Sequence, residues 1–208
     1  MLTAQGLTKL YHGSVVLHPA SFTLSAGEAV GIAGANGSGK STLLSILAGA
    51  LMPDGGDILE NQTSVLANRR FYQQAVGYVP QADCLVPELT VKQQLSCWQA
   101  FTGRPVLQDR ALAGLLGLTE LLPKQISRLS GGMRKRVSFA LALAGKPRYL
   151  IMDEAFAALD RNYRVQLENW LHDYISEGGA LLWCSHEPQE LHRLCSSVIT
   201  LEEGHIIG

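Results

Sequence analysis

No uninterrupted apolar stretch in this sequence approaches the ~18 residues that a helix needs to cross a bilayer. Any work at a membrane is therefore expected to go through a partner. Charge is sparse and balanced too. Asp, Glu, Lys and Arg make up 17% of the chain and the formal net charge is -1. No general attraction to nucleic acid follows from that, and no nucleic-acid partner is expected. The four cysteines, Cys84, Cys97, Cys184 and Cys195, form no CxxC pair, which argues against a zinc ribbon. Cys184 and Cys195 lie in apolar surroundings and read as buried thiols, as suits a reducing cytosol. Met1 to Tyr11 lacks the long apolar core of a secretory signal. Internal repeats and low-complexity linkers are absent. What is left is a chain of 208 residues, 47% hydrophobic, which fits a single domain, 1–208, with a substantial core.

The positive signals begin with Ala29-Val30-Gly31-Ile32-Ala33, a short apolar run that reads as a buried strand. It leads into Gly34-Ala35-Asn36-Gly37-Ser38-Gly39-Lys40-Ser41, which meets the spacing GxxxxGK[ST] in full. Three glycines let the backbone curl so that successive N–H groups point at an anion. The following helix, Ser41 to Ala48, turns Leu43, Leu44 and Leu47 to one side and offers its N-terminus to phosphate. Lys40 supplies a point charge, Ser41 a hydroxyl for Mg²⁺, and Thr42 a further hydroxyl for phosphate. The loop thus predicts binding and hydrolysis of a nucleoside triphosphate. Pro53-Asp54-Gly55-Gly56 reads as a turn.

Two later apolar runs, Tyr149 to Met152 and Ala180 to Cys184, do not alternate. That suits strands buried on both faces of a parallel sheet. The first ends at Asp153-Glu154, the second near His186. Sites in open α/β sheets lie beyond the carboxyl ends of strands, so one sheet edge can gather the loop, the acidic pair and the histidine. Asp153 would complete a Mg²⁺ site, and Glu154 could polarise an attacking water. Between 82 and 129 the sequence turns mostly helical. Thr90 and Gln93 form a capping box ahead of Val91, Leu95 and Trp98. A Leu-rich helical stretch is expected from about Leu107 to Leu122, broken at Pro123. This segment reads as a subdomain inserted between core segments 1–81 and 130–208.

Leu129-Ser130-Gly131-Gly132-Met133 opens a further helix, with Val137, Ala140, Leu141 and Ala144 on its buried face. Ser-Gly-Gly at a helix start is a second anion-binding geometry. One nucleotide's phosphates are already cradled by Gly34 to Ser41, so this second nest is best explained by a nucleotide on another chain. Arg134-Lys135-Arg136 reads as a solvated helix face.

With these residues in hand, the sequence resembles the ATP-binding-cassette (ABC) family along essentially its whole length. Leu129 to Met133 looks like the signature motif, Gln81 like the Q-loop glutamine, and Ala158-Leu159-Asp160 like the D-loop. His186 is similar to the switch histidine, and Tyr11 to the aromatic that stacks on adenine. The resemblance implies an α/β P-loop cassette with a mainly parallel core sheet, an N-terminal antiparallel β region and an inserted helical subdomain. It implies a head-to-tail dimer, homomeric or heteromeric, with two ATP molecules between the cassettes. Each ATP would meet the P-loop of one subunit and Ser130, Gly131 and Gly132 of the other.

In that picture Glu154 is the base. Gln81 senses Mg²⁺ and the attacking water, His186 meets the γ-phosphate, and Asp160 steadies the partner's P-loop. Ser41, Gln81 and Asp153 hold the metal. The run SGGMRKR is similar to cassettes of ABC-2-type exporters, so export is expected over import. The expected setting is the inner face of the cell membrane, on separate transmembrane subunits. A soluble assembly or regulatory ATPase is the alternative. The chain reaches Gly208 soon after its last strand-like run, so no C-terminal regulatory domain is expected. Two positions depart from the family pattern: Ala155 stands where proline is usual, and Met133 where glutamine is commoner.

Overall fold

The computed structural model describes residues 1–66 and 69–207. Its spine is a six-stranded sheet built from β3 (Ala29–Ala33), β6 (Val76–Val79), β7 (Tyr149–Asp153), β8 (Ala180–Cys184), β9 (Ser197–Glu202) and β10 (His205–Ile207). The spatial order is β10-β9-β3-β8-β7-β6. All neighbours are parallel except the closing β9–β10 pair. Every residue of β7 and β8 is buried, which is why these strands show apolar runs and no alternation.

A second sheet of four strands, ordered β2-β1-β4-β5, is formed by β1 (Leu2–Tyr11), β2 (Ser14–Leu24), β4 (Gly55–Glu60) and β5 (Thr63–Ser64). Its pairings are antiparallel throughout. Helix α1 (Lys40–Leu47) is wedged between the two sheets. Its Leu43, Leu44, Ile46 and Leu47 are fully buried, among Leu7 and Leu17 of one sheet and Ile32 and Ile151 of the other. Burying four such side chains contributes roughly 6–12 kcal/mol before entropy is counted. The helix start that bears the P-loop is therefore fixed from both sides.

Gly55 and Gly56 belong to β4 and not to the turn expected there. Gly56 has φ 82°, and a Cβ on it would meet the Gly6 carbonyl at 2.3 Å. Only a glycine lets β4 press so closely on β1.

Helices α2 (Arg69–Ala75), α3 (Val91–Thr102), α4 (Arg110–Leu115) and α5 (Gly131–Leu143) follow in chain order. The capping box opens α3 as its residues require: Thr90 accepts from Gln93 N, and Gln93 reaches back to Thr90 N. The Leu-rich stretch is not one helix from Leu107 to Leu122. Asp109 caps α4, and the helix stops after Leu115 because Gly117 takes φ 57°. A left-handed residue there ends the helical hydrogen bonding. Leu116, Leu118 and Leu121 then reach the core from turns. Helices α6 (Arg161–Ser176) and α7 (Pro188–Leu194) complete the chain. Alternate residues of β7 and β8, such as Leu150, Met152 and Trp183, face a core shared with α5 and α6. No helix among the described residues is long and apolar enough to cross a membrane.

Candidate functional site

Four adjacent parallel strands, β3, β8, β7 and β6, end at the same sheet edge. In register, Ile32 lies beside Cys184, Cys184 beside Asp153, and Met152 beside Val79. One or two residues further along each strand stand Gly34, His186, Glu154 and Gln81. Topology alone thus gathers four segments that are far apart in sequence.

The loop from Gly34 to Lys40 is shaped by close backbone approach. Gly34 has φ 145° and Gly39 φ 99°. A Cβ on Gly34 would sit 2.2 Å from the Leu201 carbonyl, and one on Gly39 would sit 2.8 Å from the Val16 carbonyl. The β1–β2 hairpin, which carries Tyr11 on its exposed end, therefore leans directly on the loop through Val16. Lys40 is buried, and its Nζ donates to the carbonyls of Gly34 at 2.8 Å and Ala35 at 2.7 Å. The ammonium is thus held across the mouth of the loop. Ser41, at the helix start, is exposed. Ser38 Oγ is buried without a hydrogen-bond partner among the described residues.

Asp153 and Glu154 are adjacent but differ in burial and in backbone conformation. Glu154 takes φ 46°, a left-handed conformation uncommon for this residue type, and its N–H is held by the Cys184 carbonyl at 2.9 Å. That turn sends its carboxylate out of the strand. Gln81 Nε2 donates to Oε2 at 2.8 Å, and His186 Nε2 meets Oε1 at 2.5 Å. Both carboxylate oxygens are therefore oriented.

Asp153 stays within, 1% exposed, and its Oδ1 has no hydrogen-bond partner among the described residues. A buried, unpaired carboxylate oxygen at this edge is suited to a cation or to water bound to one. Donor atoms of Asp153, Glu154 and Cys184 lie within 4.8 Å of one another. Burial, reinforced by Asp153, pushes the Cys184 thiol up to about 12. The two carboxylates supply the oxygen donors that a hard ion such as Mg²⁺ takes.

Cys195 is likewise raised to about 12 by burial. Only the thiolate reacts fast, and below a raised pKa the thiol form prevails. In the folded protein at about pH 8, Cys184 and Cys195 should resist a disulfide-exchange reagent while exposed Cys84 and Cys97 react. All four should titrate once the chain is denatured. Modification of Cys184 as fast as Cys84 in the native state would contradict this packing.

Ser130 caps α5, its Oγ accepting from Met133 N at 3.3 Å. Asp160 caps α6, its Oδ1 accepting from Asn162 N and Tyr163 N, each at 3.1 Å. The two caps share one surface concavity, because Gly132 packs on the Ala158 carbonyl: a Cβ on Gly132 would lie 2.7 Å from it. Gly131 and Asp160 face outward from this surface.

The expectation of a solvated face at Arg134-Lys135-Arg136 is corrected by the structure. Lys135 is 5% exposed, and its Nζ donates to the carbonyls of Pro80 at 2.8 Å and Gln81 at 2.9 Å. Burial pushes its ammonium below the ordinary lysine value, and Asp83, Asp153 and Glu154 oppose that. Arg136 is buried over the Tyr163 ring and donates to the Tyr163 hydroxyl and the Leu116 carbonyl. Arg134 pairs with Asp83 at 3.0 Å. These side chains tie α5 to the segment carrying Gln81 and to α6. A run of three charges hides this in sequence, since long basic stems bury readily while the charged head finds carbonyls. Ala155 is fully buried, and the following Phe156 packs on Trp183 with ring centroids 4.8 Å apart. Packing therefore anchors the turn where a proline would otherwise stiffen it.

Fold and site together are those of a P-loop ATPase cassette. A family model described as ABC transporter matches residues 17–157. The chain is 34% identical over 206 residues to Nod factor export ATP-binding protein I of Rhizobium etli, covering 97% of this chain and 65% of that protein. It is 35% identical over 208 residues to the protein of the same name from Burkholderia orbicola, covering 98% and 68%. The chain thus spans about two thirds of the length of the curated relatives it matches. A solved structure of the ATP binding subunit of an ABC transporter superposes with a TM-score of 0.89 at 26% identity, covering all of this chain and 88% of that one. A dimeric ATP-binding cassette in a post-hydrolysis state, bound to ADP and Pi, has the same fold, with a TM-score of 0.86 at 24% identity and 97% of its chain covered. This chain belongs to the ABC transporter family.

Proposed function

We propose that this chain is the ATP-binding and ATP-hydrolysing subunit of an exporter, coupling closure and opening of a cassette dimer to movement of separate transmembrane subunits at the inner face of the cell membrane. The observation that carries the reading is the Glu154 carboxylate, held between Gln81 and His186 at the rim of the P-loop.

In this reading the N–H groups of Gly34, Asn36, Gly37, Ser38 and Gly39 and the start of α1 take up the phosphates. Lys40 exchanges its two carbonyl contacts for phosphate oxygens, and Thr42 adds a hydroxyl. Tyr11 stacks on adenine. Ser41, Asp153 and Gln81 would hold Mg²⁺, which when bound would neutralise charge on the phosphates. Glu154 orients the attacking water and accepts its proton, and His186 meets the γ-phosphate. Ser130, Gly131 and Gly132 of a second cassette close over the nucleotide, with Asp160 beside the partner's P-loop. Exporter relatives at 34–35% identity support the direction of transport.

The docking of transmembrane subunits is supported by an apolar groove of about 280 Å³ beside the Gln81 segment, lined in part by Tyr78, Pro80, Leu85, Trp98 and Phe101. Phe101 is 82% exposed. An aromatic side chain left this far in water beside a groove suits an anchor for a partner. Phe101→Asp should leave ATP turnover of the isolated chain within about twofold, yet abolish recovery of an integral membrane partner from detergent-solubilised membranes. Recovery of only soluble partners with the wild-type chain would overturn the transporter reading.

A further inference from the structure

Arg164 and Glu190 stand outside the site described above, yet their contacts connect two of its parts. Arg164, in the first turns of α6, reaches back along the chain. Its Nε donates to the Leu159 carbonyl at 3.0 Å and its NH2 to the Ala157 carbonyl at 3.5 Å. It thereby holds the carbonyls on either side of Ala158, the residue on which Gly132 packs. Its NH1 meets Glu190 Oε1 at 3.2 Å and Glu187 Oε1 at 3.5 Å. Glu190 is buried, on α7. Its other oxygen accepts from Ser185 Oγ at 2.6 Å, and the same Oγ accepts from Glu187 N at 3.1 Å. The Ser185 hydroxyl thus pins the backbone on both sides of His186. His186 in turn meets Glu154 at 2.5 Å.

A buried carboxylate with a cation on one oxygen and a hydroxyl on the other is an anchored group. Burial, with Glu187 and Glu168 nearby, raises its pKa, and Ser185 and Arg164 offset only part of that. The chain of contacts is continuous from the signature–D-loop surface, through Arg164, Glu190 and Ser185, to His186 and the base. Arg193 bonds Glu168 at 3.4 Å on the same surface.

We infer that Arg164 and Glu190 are positioning residues for ATP hydrolysis, which set the place of His186 against Glu154 according to the arrangement of Ala157 to Leu159. The inference rests on the hydrolysis reading above. It concerns the rate of the chemical step and not nucleotide affinity, because neither side chain adjoins the P-loop. Small misplacement of an orienting group is costly to rate.

The test is steady-state ATP hydrolysis by the full chain, with melting temperature measured alongside. Glu190→Ala should lower kcat on the order of tenfold while KM for ATP stays within about twofold. Glu190→Gln still accepts from the Ser185 hydroxyl and should restore most of kcat. Combining Arg164→Ala with Glu190→Ala should lower kcat no further than Glu190→Ala alone, since the two act in one chain of contacts. Unchanged kcat in Glu190→Ala overturns the inference. So does a loss of kcat that follows melting temperature across the set with Gln as damaging as Ala, because that marks a purely structural pair. A wild-type chain that turns over no ATP would overturn the hydrolysis reading itself, and this inference with it.

Discussion

Glu154→Gln is expected to lower ATP turnover by at least about 100-fold, the range over which a lost general base is felt. The amide has nearly the shape of the carboxylate, so the left-handed turn at φ 46° and the bond from its N–H to Cys184 should survive. What changes is the proton chemistry. In the wild-type side chain one oxygen accepts from Gln81 and the other meets His186 Nε2. An amide accepts at one end and donates at the other, so one contact becomes donor to donor until His186 presents its bare Nε2. Neither arrangement leaves a base for water. ATP binding should persist, and the variant should elute as a dimer on size exclusion when ATP and Mg²⁺ are supplied. Phosphate release at the wild-type rate would remove Glu154 from the role of base.

Two inactive variants should rescue each other. Lys40→Ala removes the ammonium that spans the mouth of the P-loop. Gly132→Asp adds a Cβ that would lie 2.7 Å from the Ala158 carbonyl, and brings a negative charge to the helix start proposed to meet the partner's nucleotide. Each alone should lose on the order of 100-fold in turnover, a loss typical of removing one electrostatic stabiliser. In a two-fold dimer with composite sites, a mixed pair unites both defects in one site and leaves the other intact. Random mixing makes half the dimers mixed, so the mixture should regain roughly a quarter of wild-type turnover if single sites act independently. The measurement is phosphate release after the two proteins are combined with ATP. No recovery in the mixture, with Gly132→Asp still binding ATP normally, would sink the composite site.

Much of this was legible in sequence because backbone geometry limits the options. A GxxxxGK[ST] run between an apolar strand and a leucine-faced helix admits few conformations. β3, β7 and β8 announce themselves as short apolar runs with nothing to alternate against. The capping box at Thr90 is local and could be read as such. Features that depend on distant packing could not. A leucine periodicity from 107 to 122 looks helical until Gly117 turns left-handed, and periodicity carries no record of φ. Basic side chains look solvated until Pro80 and Gln81 offer carbonyls to Lys135. The same holds for Arg164 and Glu190, 26 residues apart in sequence and joined only when α6 and α7 pack. Short-range pattern reports what the backbone must do, whereas the orienting contacts of the site form between elements.

The strand order has a consequence for how the protein comes into being. β8 lies between β3 and β7, so a strand made late in synthesis is inserted at the centre of the sheet. Until residues 180–184 are available, β3 has no neighbour on that side, Glu154 N–H has no Cys184 carbonyl to bind, and His186 does not exist. The P-loop is translated well before β8, and the sheet edge beside it is complete only once β8 is in place. Such long-range parallel pairing is slow to form. A chain cut before residue 180 therefore carries the nucleotide motif without the contacts that place Glu154 and His186.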